Sequence, residues 1–289
     1  MNCRKIGIST TCLKWIALIC MVFDHVAEFI PGMPIWFRWI GRISAPIFVF
    51  CMVEGIKYTT NKKKYLIRLY AASMIMAVIQ VFTGVSNNYF LPLFCTALFL
   101  TILIEKVNVK RRVILYITWQ ILCFLIVLLL CYFQDENTIT MKLIPALLGS
   151  YMFSESGLFA LIEGLLFYYA HCNKKKIAIT YVLFCGIFAV FSLKAYIPIM
   201  LKYIQYYIPV IGNRVEEFVE IFLMGYLEDF APFYNGGSPL IDNYQWMQIS
   251  ALPFLLCYNG EKGKGMKYFF YTFYILHILI LWGVGYMFF

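Results

Sequence analysis

Charge is what this sequence has least of. Only 13% of its 289 residues are Asp, Glu, Lys or Arg, while 62% are hydrophobic. A soluble domain carries about a quarter charged residues and about half apolar ones, so that class is excluded. Low-complexity segments, a separate soluble domain and a convincing internal repeat are also missing. Cysteine is present but unpaired in pattern: ten residues, at 3, 12, 20, 51, 95, 123, 131, 172, 185 and 257, form no C-x-x-C. Most lie inside apolar runs, where a free thiol acts as a small hydrophobe, which argues against disulfides, a structural zinc or any other metal site. No small-x-small cleavage site follows the first apolar run, although Arg4 and Lys5 precede it. That run continues into Asp24, His25 and Pro31-Gly32, and reads as a retained helix rather than a removable signal.

What is present is a series of membrane-length apolar segments. Open sheets cannot satisfy their backbone in lipid, so the predicted fold class is all-α, a polytopic transmembrane helical bundle forming a single integral membrane domain over 1–289. The predicted segments are 11–30, 35–55, 66–84, 89–104, 113–133, 156–171, 177–194, 243–258 and 268–287. The stretch 141–153 is too short to span and is broken by Pro145 and Gly149, so it reads as a re-entrant or interfacial piece. Residues 196–241 hold two marginal apolar pieces, the second carrying Glu216, Glu217, Glu220, Glu228 and Asp229; they form either a short hairpin or interfacial helices. That gives nine or eleven spans. The formal charge is +9, but the basic residues cluster between apolar runs (Asn61–Arg68, Lys106–Arg112, Lys174–Lys176, Glu261–Lys267). They signal topology, with these loops and the N-terminus cytoplasmic, and not nucleic acid binding.

Chemistry concentrates in Lys14–Glu54, two apolar segments that nonetheless carry Asp24, His25, Arg42 and Glu54. An ionisable group at bilayer depth costs several kcal/mol and is a functional candidate by default. At about 1.5 Å per residue, His25 lies roughly 20 Å from the inner end of the first helix and Arg42 roughly 18 Å from that of the second. Antiparallel neighbours would therefore hold Asp24, His25 and Arg42 at one level. Asp24 points about 100° from His25 on a helix, so its expected partner is Arg42. His277 shares a face with Tyr271 and Tyr274 and reads equally as a catalytic group or as a hydrogen-bonding residue between helices. Glu163 reads either as lining the same cavity as these groups or, the favoured reading, as pairing with an Arg or Tyr. Glu54 reads as an anchor at the inner interface, and the Lys62–Lys63–Lys64 run with Arg68 either as topology signal or as a cradle for phosphates.

At these residues the chain resembles the TraX family. The resemblance is carried by Leu13-Lys14-Trp15-Ile16-Ala17-Leu18, Asp24-His25, Gly41-Arg42-Ile43-Ser44-Ala45-Pro46, Val53-Glu54-Gly55 and Tyr65-Leu66-Ile67-Arg68-Leu69. The far end adds Tyr258-Asn259-Gly260-Glu261-Lys262-Gly263 and Phe273-Tyr274-Ile275-Leu276-His277, with Ile275 where the pattern has proline. It covers about 1–70 and 250–285. A distant likeness to the acyltransferase-3 and lysosomal glucosamine acetyltransferase group rests on Lys14 and, after ten intervening residues, His25.

The resemblance implies a multi-pass acetyltransferase of a bacterial cytoplasmic membrane that uses acetyl-CoA and acts on a pilin-like peptide amine or a glycan hydroxyl. His25 would be the general base, with Asp24, Arg42 and His277 beside it. The donor would bind at Lys14, Glu54, Lys62, Lys63, Lys64, Arg68, Arg111 and Asn259, with Arg112 adding charge. A proton-coupled small-molecule transporter using the buried Asp/His/Arg groups as a relay is the alternative; no inverted repeat or paired broken helices speak for it.

Overall fold

The computed structural model describes residues 7–134, 139–151, 154, 156–170, 173–194, 196–209, 212, 215, 238–242 and 244–288. The acidic piece predicted within 215–230 lies almost wholly outside them. Among the described residues the chain is helical, with one isolated bridge, Ile8 to Tyr258, in place of any sheet. The elements are α1 (Thr10–Phe29), α2 (Trp36–Gly41), α3 (Ser44–Tyr58), α4 (Lys62–Thr83), α5 (Phe90–Glu105) and α6 (Val109–Gln134). A π turn (Ile139–Leu143) and α7 (Ile144–Leu148) precede α8 (Gly157–Ala170), α9 (Lys174–Lys194) and α10 (Tyr196–Tyr207). A 3-10 stretch (Tyr244–Ala251), α11 (Leu252–Leu256) and α12 (Lys267–Phe288) complete it. Three helical stretches among the described residues, Trp36–Tyr58, Lys62–Thr83 and Tyr268–Phe288, are long and apolar enough to cross a membrane; α5 and α8 are apolar but shorter.

Two compact units emerge. The first contains residues up to Glu54, Glu163–Ala189 and Tyr244–Phe289; the second contains Gly55–Ile162 and Val190–Asn243.

In the first unit α1 is the axis, packed against both α2 and α12. Ser9 caps it by accepting from the Cys12 amide at 3.3 Å. The other early amides of α1, which have no partner inside the helix, bond to the loop before α12. Thr10 N–H donates to Glu261 O at 2.9 Å and Thr11 N–H to Lys262 O at 3.1 Å. The Thr11 hydroxyl donates to Lys262 O and Lys264 O. The loop reaches this position through Gly263, at φ +73°, where a side chain would meet Ser9 Oγ at 2.5 Å. Helix α2 comes equally close at Gly41, where an added Cβ would lie 2.4 Å from Asp24 Cβ.

The predicted second segment is present as the membrane-length stretch Trp36–Tyr58, with a turn at Arg42–Ile43 between α2 and α3. One expectation needs correction here. The predicted span at 243–258 is not an α-helix of ordinary pitch, because eight of its residues form the 3-10 stretch. At about 2.0 Å per 3-10 residue and 1.5 Å per α residue, Tyr244–Leu256 covers roughly 24 Å. That matches the roughly 22 Å of α1 between Ser9 and Asp24. The stretch has Tyr244 beside Arg42 at one end and Tyr258 beside Ile8 at the other. Thirteen residues thus do the work of a longer helix, and Tyr181 ties its middle by donating to Gln248 O at 2.8 Å.

In the second unit, α4 packs against α5 and against the π turn with α7. The basic residues read as a loop belong to helices: Asn61 caps α4 by accepting from the Lys64 amide at 2.8 Å, so Lys62–Arg68 form its first two turns. The piece predicted as re-entrant is short, as expected, and side chains complete its backbone. Tyr70 O–H donates to Leu147 O at 2.9 Å, Trp119 Nε1 to Leu148 O at 2.9 Å and Gln120 Nε2 to Gly149 O at 2.9 Å. Irregular backbone at membrane depth is tolerated only with such partners.

A candidate functional site on the first helix

Asp24 and His25 are adjacent in sequence, yet they enter different clusters, as their separation around the helix requires. Both are buried, at 9% and 4% exposure. Asp24 faces α2, which offers Arg38 and, at its C-terminal cap, Arg42, four residues on. Arg42 Nη2 donates to Asp24 Oδ2 at 2.5 Å and Arg38 Nη1 to Asp24 Oδ1 at 3.2 Å, so each carboxylate oxygen holds one guanidinium. Arg38 also reaches Glu28 Oε2 at 3.4 Å. Arg42 Nε donates to Arg38 O, and its guanidinium lies 5.5 Å from the centre of the Tyr244 ring. The expected Asp24–Arg42 pairing is therefore observed. Arg38 was missed, although the signal was legible: Asp24 and Glu28 lie four residues apart, as do Arg38 and Arg42, so two acids on one helix face oppose two bases on the next.

His25 faces α12 instead. Its Nδ1 is 2.6 Å from Nε2 of His277, which is itself buried at 6% exposure. The ring centres are 4.9 Å apart with planes 24° from parallel, the geometry of imidazoles meeting nitrogen to nitrogen. Nδ1 of His277 lies 3.0 Å from the carbonyl oxygen of Phe273, one turn back on α12. A carbonyl only accepts, so in the neutral pair His277 carries its proton on Nδ1 and presents a lone pair at Nε2. His25 must then donate from Nδ1, which leaves the lone pair of His25 on Nε2. One backbone carbonyl thus sets two tautomers. Around the pair, the Phe273 ring lies parallel to His277 and the Tyr274 ring stands edge-on to both imidazoles.

The remaining candidates fall elsewhere. Glu54 is buried and accepts from the Tyr258 hydroxyl at 3.4 Å, and that hydroxyl in turn accepts from Thr10. Tyr258 is a second residue missed, because its neighbours read only as a loop motif. Asn259 Oδ1 accepts from the Glu261 amide at 2.9 Å and Nδ2 donates to Gly7 O, so its side chain holds the capping loop together. Lys14 lies 5.7 Å from the Phe270 ring centre. Glu163 is 3% exposed, and among the described residues no Arg or Tyr pairs with it as expected.

In the second unit Lys62 and Lys63 line a groove of about 400 Å³ with Glu105 and Arg112, and Arg112 donates to Glu105 at 2.6 Å. Lys64 and Arg111 are exposed and do not line it. Arg68 stacks 5.7 Å over Tyr65, and its Nε is buried with no hydrogen-bond partner among the described residues. No group of metal-ligating side chains occurs among the described residues.

The family model described as TraX protein matches residues 9–285. The chain is also 27% identical over 190 residues to a "Probable fimbrial assembly protein FimC, serogroup H1" of Dichelobacter nodosus, an alignment covering 56% of this chain and 78% of that protein. No solved structure matches.

Proposed function

Because this chain belongs to the TraX family, we propose that it is a membrane-embedded acetyltransferase, moving an acetyl group from acetyl-CoA to the amine or hydroxyl of a membrane-associated acceptor. The observation that carries the reading is the His25–His277 pair, in which His277 and the Phe273 carbonyl hold an unprotonated nitrogen at His25 Nε2. The name of the fimbrial assembly relative favours a pilin-like peptide N-terminus as acceptor over a glycan.

In the proposed step the acceptor nitrogen or oxygen attacks the thioester carbonyl as its proton passes to His25 Nε2. The tetrahedral intermediate collapses, the carbon–sulfur bond breaks, and the CoA thiolate takes the proton back from His25. The imidazolium that forms in between is supported by His277, which accepts from its Nδ1, and by the Asp24 carboxylate nearby. Arg42 is the candidate partner for the developing oxyanion, a contribution of a few kcal/mol in a water-excluded site. Lys64, Arg68 and Arg111 of the second unit, with Lys62 and Lys63 adding to the field, are the groups that would draw the donor's phosphates, and Lys14 of the first unit is a further candidate. Glu54 and Asn259 serve this arrangement by fixing Tyr258 and the loop that caps α1.

Turnover of acetyl-CoA by the purified protein in detergent tests the reading. His25→Ala is expected to keep acetyl-CoA binding and lose turnover by about 10²- to 10⁴-fold, the usual worth of a positioned base. His277→Phe should lower kcat with little change in the KM for acetyl-CoA, because His277 positions His25 without touching the donor. Undiminished turnover in folded His25→Ala refutes the base assignment. A wild-type protein that neither binds nor turns over acetyl-CoA, yet carries protons across a vesicle membrane, would return the pair to a transport relay.

A further inference from the structure

That chemistry calls on the groove in the second unit only for the charge of Lys62 and Lys63 and leaves its apolar wall unused; the groove is amphipathic. Leu66 and Tyr70 of α4 face Phe94 and Leu98 of α5 along its wall, while the charged groups gather at one end. There the Glu105 carboxylate is matched by Arg112, so the mouth carries the charge of Lys62 and Lys63. No ion pair joins either lysine among the described residues. From Lys62 to Tyr70 the wall runs about 12 Å along the helix axis, enough for much of an acyl chain. Ile67, on the same edge, is 55% exposed on a helix apolar enough to span a membrane, so the groove opens sideways toward lipid.

The polar atoms of the deeper wall are already engaged. Tyr70 O–H donates to Leu147 O at 2.9 Å, and the Thr101 hydroxyl to Ala97 O at 2.8 Å. A pantetheine arm laid here would bury amides without partners, at a cost of about 1–3 kcal/mol each. A free phosphate would satisfy the lysines and leave the apolar wall empty. A phospholipid matches both ends, and basic pockets between spanning helices on the cytoplasmic side suit acidic headgroups. We propose that this groove is a binding site for one anionic phospholipid of the leaflet that meets the basic loops, its phosphate held by Lys62 and Lys63 and an acyl chain lying along Leu66, Tyr70, Phe94 and Leu98.

The test uses the full chain in detergent, delipidated and titrated separately with dioleoylphosphatidylglycerol, dioleoylphosphatidylcholine, glycerol phosphate and CoA. Lipid retention is read by native mass spectrometry and stability by Tm. Phosphatidylglycerol is expected to be retained and to raise Tm, with at least tenfold preference over phosphatidylcholine of the same chains, and glycerol phosphate is expected to do neither. The double variant Lys62→Ala/Lys63→Ala and the groove-filling variant Leu98→Trp should each lose that preference while keeping the lipid-free Tm. Should one of them fail to fold, the other variant and the wild-type selectivity still decide. Equal retention of the two lipids, a shift reproduced by glycerol phosphate, or full preference in both variants would overturn the site. Displacement of phosphatidylglycerol by CoA would also overturn it, making the nucleotide the occupant and leaving the transferase reading intact.

Discussion

Asp24 is shared by two arginines in unequal settings, and that inequality is measurable. Arg42 is the shorter contact, with 16% of its side chain exposed, and Arg38 the longer, with 25% exposed and Glu28 as a second partner. Removing one member of a buried pair leaves an uncompensated charge, at about 3–5 kcal/mol, whereas a partly exposed pair is worth about 1 kcal/mol or less. Asp24→Asn, which removes the shared carboxylate charge from both guanidinium groups at once, should lower stability most; Arg42→Ala should follow, and Arg38→Ala should be mildest because Arg42 still matches Asp24. Thermal unfolding of the three variants in one detergent checks the order, and an Arg38→Ala loss as large as that of Asp24→Asn would contradict it. At this scale the sequence was informative about identity but not about partners. Asp24, His25 and Arg42 stood out because charge is scarce inside apolar runs. That His25 meets His277, 252 residues away, is a fact of tertiary packing that no local spacing encodes.

At the scale of elements, the start of α1 depends on a loop from the other end of the chain. Its first amides find their acceptors in Glu261 and Lys262, and Gly263 permits the approach with a positive φ and no Cβ. Gly263→Ala combines an unfavourable left-handed backbone with a contact of 2.5 Å on Ser9 Oγ, and is expected to destabilise by more than about 1 kcal/mol. Since α1 carries His25, turnover should fall along with Tm; a variant with wild-type Tm would show that the loop does not hold the helix. The motif Tyr258-Asn259-Gly260-Glu261-Lys262-Gly263 was legible as a signature, but its physical task was not, because capping by a distant backbone leaves no periodic trace. The 3-10 stretch was hidden for a related reason. Apolar content announces a crossing, whereas the pitch that lets thirteen residues cover roughly 24 Å is set by the neighbours that hold each end.

For the whole molecule, the expected orientation follows from where the basic residues lie, and two exposed thiols report on it. Cys12 and Cys257 are exposed beside the capping loop, while Cys20, Cys51, Cys95, Cys123 and Cys185 are buried. In a chain with Cys3, Cys131 and Cys172 replaced by Ser, a membrane-impermeant maleimide should label inverted vesicles and leave intact spheroplasts unlabelled. The opposite pattern would reverse the topology and place the basic loops outside.

The sequence alone determined the solvent, the fold class and the family. Long apolar runs can satisfy their backbone in lipid only as helices, and short motifs at both ends of the chain carried the resemblance that a match over residues 9–285 bears out. Tertiary structure decided the pairings: which imidazole nitrogen holds a proton, which arginine shares Asp24, and which lysines open on a groove rather than on water. Those are set by contacts between helices far apart in sequence, where a change of one residue in helix phase turns a side chain by about 100° and gives it a different neighbour.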